Sequence, residues 1–134
     1  MRRILSGIFA VSFVVGLAAP IWAHHSFAAE YDRAKPILLT GTVTKVEWMN
    51  PHVYFYIDVK DAEGKTTNWA IELGNPAGLY RRGWKKEALK IGGTTTIDGS
   101  MSKDGSHRVN ASTVTMDGKR LFAGSSGEEG YEGK

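Results

Sequence analysis

Four histidines, His24, His25, His52 and His107, are the strongest candidate metal ligands in this 134-residue chain, which contains no cysteine. Two of them follow Ala23 as His24-His25-Ser26. If the mature chain begins at His24, that residue offers both an α-amine and an imidazole to one ion, and a further imidazole completes a three-nitrogen set. Such a set suits Cu(II), which favours tetragonal nitrogen coordination and stands at the top of the divalent affinity series. A chain beginning at Ala23 would instead place His25 third, so that an amine, two backbone amides and an imidazole could enclose Cu(II) or Ni(II) in a plane. His52 follows the Asn50-Pro51 turn, where it can meet a folded-back N-terminus. The metal set read from the sequence is therefore His24, His25 and His52, with copper as the ion. Met49 and Glu72 are weaker or axial donors, and His107 is a lesser candidate. Two solvated histidines at a flexible terminus would give the same pattern.

The other chemistry legible here belongs to aromatic rings. Tyr54 and Tyr56 alternate with the apolar residues Val53, Phe55, Ile57 and Val59 and so face outward. Outward tyrosines can stack on bases, sugars or small ligands, or pack as cross-strand neighbours. They form the candidate ligand-binding set Tyr54 and Tyr56. Trp69 belongs to the core side, and Trp84 is expected to cover one end of the domain. Asp58, Glu72 and Asp98 lie on different strands at no fixed spacing and read as solvated. No serine sits in a nucleophile elbow, and no His-Glu-x-x-His helix is present for zinc hydrolysis. The chain carries no catalytic signature, and an enzyme is the lesser expectation.

These residues are presented by a chain that starts as an export signal. Met1-Arg2-Arg3 is a basic start, Ile4 to Ala19 is an apolar run, and Pro20 breaks it before Ile21-Trp22-Ala23. The run is shorter than the roughly 20 residues that span a bilayer. Residues 1–23 are thus expected to be a cleaved signal peptide, with a cut after Ala28 as another choice and no stable membrane anchor left behind. Localisation in the periplasm follows. Arg2 and Arg3 leave with the leader, taking Lys+Arg from 17 to 15 against 14 Asp+Glu. A near-neutral mature chain has no basic footprint for nucleic acid. The dense cluster Arg81-Arg82 with Lys85-Lys86 reads as a solvated face.

About 111 residues remain, enough for one core. Residues 24–36 lack periodicity and read as an extended N-terminal arm, 37–123 as the domain, and the Gly-, Ser- and Glu-rich stretch 124–134 as a disordered tail. Strands are predicted over Leu38–Trp48, Val53–Val59, Lys65–Leu73, Thr94–Asp98 and His107–Met116, with Asp61–Gly64 as a hairpin turn. The apolar phase slips between Val43 and Val46, which predicts a bulge. Asn75 and Pro76 open a short helix that runs to about Arg82 before Gly83. The fold class is therefore all-β with one short helix: a five-stranded OB-fold-like barrel after a signal peptide. A small β-sandwich is the other arrangement compatible with the pattern.

The combination His24-His25-Ser26-Phe27-Ala28, Gly41-Thr42-Val43, Val46, Trp48, Asn50-Pro51-His52, Asn68-Trp69 and Leu79-Tyr80-Arg81-Arg82-Gly83-Trp84 resembles a family of small exported bacterial proteins catalogued as a domain of unknown function. The resemblance implies a periplasmic OB-like domain and brings no activity. The expected function is an exported binding protein whose partner is a metal ion, small ligand or periplasmic protein, with Cu(II) as the most concrete ligand. Two alternatives stand beside it. One is a metal-independent module that binds a small molecule, glycan or protein through Tyr54 and Tyr56; the other is a copper-dependent oxidoreductase.

Overall fold

The structure, a computed structural model, describes residues 27–124. The expected leader 1–23, the residues 24–26 with His24 and His25, and the segment 125–134 lie outside the described residues. The chain runs α1 (Phe27–Glu30), β1 (Tyr31–Glu47), β2 (Tyr54–Lys60), β3 (Thr66–Glu72), α2 (Pro76–Arg81), a 3-10 turn (Lys86–Ala88), β4 (Thr94–Ser102), β5 (Arg108–Met116) and β6 (Lys119–Phe122).

β1 is the spine. Its 17 residues pair antiparallel with β2 through one stretch, from Thr42↔Asp58 to Glu47↔Tyr54, and with β4 from Tyr31↔Ser102 to Thr42↔Thr94. One strand can serve two neighbours in this way only if it coils. The register slips between Val43 and Lys45, where the sequence predicted a bulge. Gly41 stands beside that bend, and a Cβ there would come within 2.5 Å of the Asp58 carbonyl oxygen. β3 pairs antiparallel with β2, β5 pairs antiparallel with β4, and a short parallel ladder, Ala70↔Arg108 to Glu72↔Asn110, joins β3 to β5. That ladder closes the sheet on itself. The cyclic order β1-β2-β3-β5-β4, with α2 between β3 and β4, is that of an OB-fold barrel.

Alternation along the strands sends Phe55, Ile57, Ile71, Ile97 and Val109 inward, each without solvent exposure, and Val43 and Val114 join them. α2 plugs one end. The Asn75 side chain caps it by accepting from the Gly78 N–H at 2.8 Å, and Leu79 and Trp84 drop into the core below. Trp84 is held there by its indole N–H, which donates to the Phe122 carbonyl at 2.8 Å.

Three boundaries differ from the sequence reading. A sixth strand, β6, hairpins back along β5 from Met116↔Lys119 to Thr113↔Phe122. β4 continues to Ser102. Most consequentially, residues 31–36 of the expected arm are extended as part of the sheet itself. Phe27–Glu30 forms a helical turn and β1 begins at Tyr31. Pairing with β4 holds at Tyr31 and Asp32, breaks, and resumes at Pro36. Proline cannot donate to a ladder, and its place at the break suits it. Residues 27–32 form a strap laid over the outside of the barrel.

Candidate functional site

The strap reaches the outward face of β3, where Glu72 stands. Glu72 was expected to be solvated; instead it is 5% exposed. The Tyr31 hydroxyl donates to its Oε2, and the Tyr54 hydroxyl donates to the same oxygen at 2.7 Å. Burial, with the Glu72 hydrogen bond and charge added to it, drives ionisation of both tyrosines far above the ordinary tyrosine range. Each therefore remains a neutral donor to the carboxylate at any physiological pH.

His52 stands on the other side of this carboxylate. Its Nδ1 is 3.1 Å from the Leu73 carbonyl oxygen and 3.5 Å from Glu72 Oε1. A carbonyl only accepts, so Nδ1 carries the proton and donates to Leu73. That leaves Nε2 as the ring nitrogen available to an ion, the usual arrangement of a metal-binding histidine oriented by a backbone carbonyl. The side chain is 27% exposed.

The strap is fixed from several directions. Lys103 donates its backbone N–H to the Glu30 carbonyl at 2.9 Å and its Nζ to the Ala28 carbonyl at 2.5 Å. The Phe27 ring stacks on Tyr31 with centroids 5.7 Å apart, and the Arg108 guanidinium lies 5.4 Å from the centre of the Tyr31 ring. Arg108 also lies 3.8 Å from Asp104 and 4.0 Å from Glu30. Beneath the strap, Arg108 Nε and Asn110 Nδ2 are buried donors with no hydrogen-bond partner among the described residues. The β3–β5 ladder sets Asn110 opposite Glu72.

The structure thus brings His52, Tyr54 and Glu72 together and adds Tyr31, which the sequence reading left inside a featureless arm. The available signal was the Phe27/Tyr31 pair, spaced four apart as one helical turn requires. Asn110 had drawn notice only within Asn110-Ala111-Ser112. Tyr56 is separate from this cluster: its hydroxyl donates to Glu47 at 3.0 Å, and Lys45 sits 5.2 Å from its ring centre. Both outward tyrosines are therefore engaged by carboxylates of their own chain. His107 packs on the Trp69 ring at 4.9 Å between centroids, away from His52. Met49 is exposed. Among the described residues, no three His, Cys, Asp or Glu side chains are grouped to hold a metal. No helix among them is long and apolar enough to cross a membrane.

The sequence profile described as "Family of unknown function (DUF6152)" matches residues 11–111. The chain belongs to this family. The match begins at residue 11 and runs through the strap, His52 and Glu72 to Ala111 in β5. Among solved structures, the chain is similar to the dimeric N-terminal domain of the PriB protein from Thermoanaerobacter tencongensis. That likeness has 14% identity and a TM-score of 0.38, and covers 62% of this chain and 96% of that one. The barrel assignment rests on the strand pairing of this chain itself. No curated protein matches.

Proposed function

We propose that the chain is an exported, periplasmic binding protein that holds one Cu(II) ion between its processed N-terminus and His52. His24 supplies its amine and imidazole, His25 a further imidazole, and His52 its Nε2. The observation that carries this reading is the strap. The segment that begins at Phe27 is tied through Tyr31 to Glu72, and Glu72 lies 3.5 Å from His52. The three residues from His24 to Phe27 reach about 10 Å when extended. Glu72 adds negative charge beside a dication, and the Leu73 carbonyl orients the imidazole. Tyr54 and Tyr56 already donate their hydroxyls to carboxylates of their own chain, whereas His52 Nε2 has no such assignment, and this favours the metal reading over the aromatic one.

Titration of Cu(II) into signal-cleaved protein, followed by electron paramagnetic resonance, tests this. The expected result is one ion per chain with coupling to nitrogen, lost when an extra Met precedes His24. Replacing His52 by Ala should weaken binding at least tenfold, and replacing His107 by Ala should leave it unchanged. Equal effects from the two, or binding indifferent to the extra Met, would refute the site.

A further inference from the structure

A second surface is built from Trp48 and Met49, on the β1–β2 loop that also carries His52, and from Tyr80 of α2. Trp48 is half-buried and its ring meets Tyr80 at 5.4 Å and Trp84 at 6.4 Å between centroids. Trp84, fully packed and tied to Phe122, gives this stack a rigid base. Met49, next to Trp48 in the chain, is 57% exposed, and Tyr80 is 52% exposed. Two large apolar side chains from separate elements therefore stand in water beside a tryptophan.

Cations follow directly in the chain. Arg81, Lys85 and Lys86 are exposed, and none forms an ion pair among the described residues. Glu87 is the one acid between Pro76 and Lys90. A cleft of about 240 Å³, with Trp84, Leu89, Val114 and Met116 among its walls and Lys90 and Asp117 at its charged side, does not include Trp48, Met49 or Tyr80. Protruding aromatic and thioether side chains with unpaired cations alongside match the level where headgroups meet acyl chains. Tryptophan and tyrosine settle at that level, and lysine and arginine gain from anionic lipid there. A fluid surface accepts such protrusions without a complementary cavity, whereas a rigid protein partner would need one.

We infer that the Trp48–Met49–Tyr80 ridge, with Arg81, Lys85 and Lys86, docks the protein on an anionic lipid bilayer. Binding is peripheral and salt-sensitive.

The test is flotation of signal-cleaved protein, kept metal-free with a chelator, with vesicles of phosphatidylglycerol and phosphatidylcholine or of phosphatidylcholine alone. Protein should float with the anionic vesicles only, with a blue shift of tryptophan emission, and should be released by 0.5 M salt, where the Debye length shrinks to a few ångströms. The pair Met49→Ser and Tyr80→Ser should lower vesicle affinity at least tenfold, as should Arg81→Glu with Lys85→Glu. All four side chains are exposed, so the melting curves of these variants should match the parent, and His52→Ala should bind vesicles normally. Absence of binding to anionic vesicles, or binding that survives both pairs of substitutions, overturns the inference. Binding to soluble polyglutamate as tight as to vesicles also overturns it, by assigning the patch to an acidic polypeptide. Because copper is excluded from the assay, none of these outcomes depends on the metal site.

Discussion

Glu72 concentrates the residue-scale chemistry. Two tyrosine hydroxyls meet on one carboxylate oxygen while a histidine faces the other, so removing a single donor leaves a buried acceptor poorly satisfied. Tyr31→Phe should lower the free energy of unfolding by about 1–3 kcal/mol, measured by urea denaturation at neutral pH. The pH dependence has a definite sign. Both tyrosines have folded-state pKa values above their ordinary value of 10.0, so the unfolded chain releases protons first as pH rises. Their contribution is fully present below about pH 10 and is lost progressively above it. Urea midpoints at pH 9 and pH 11 should differ in the parent, and differ less in Tyr31→Phe. The alternation of Ile71 and Leu73 correctly turned Glu72 outward. It could not show that outward meant covered, because the cover arrives from a strap 41 residues upstream. His52 was legible because a turn precedes it, whereas the carbonyl that orients its ring is a tertiary fact.

At the scale of elements, the signals that survived were those written into local covalent geometry. Asn75 and Pro76 marked the start of α2, and Asn75 performs the capping; Asn75→Ala should cost about 1 kcal/mol, read from the shift in urea midpoint. The phase slip near Lys45 marked the bend in β1. Gly41→Ala tests that bend from the other side of the ladder. Its Cβ would press on the Asp58 carbonyl, and a loss of about 1–3 kcal/mol is expected from the forced backbone shift. β6 escaped notice because four residues, two of them charged, carry too little alternation to register. The beginning of β1 escaped because Arg33-Ala34-Lys35-Pro36 has no period and lies where pairing lapses.

Across the whole molecule, the strand order was readable only as a sum. Five strands with a helix after the third suggested closure, but the rows Ala70↔Arg108 to Glu72↔Asn110 that achieve it leave no mark in either strand alone. The same breadth makes the copper proposal a statement about stability. A ligand bound only by the folded chain, at free Cu(II) 100-fold above its dissociation constant, should add about 2.7 kcal/mol to unfolding. Calorimetry should show a raised Tm that a chelator returns to the metal-free value. An unchanged Tm under saturating copper would mean that the ion sees only a loose terminus.

The strap has a further consequence, which concerns time. It is the first described segment of the chain in sequence, yet the groups that hold it come later: Glu72 on β3, Ser102 at the end of β4 with Lys103 after it, and Arg108 on β5. A chain threaded through a membrane N-terminus first cannot seat Tyr31 until nearly all of the barrel has followed, and such distant pairings are the slow ones to form. The strap is thus a latch that closes after assembly. Under the copper proposal, a site that draws on both the processed N-terminus and His52 is therefore complete only after the barrel has formed.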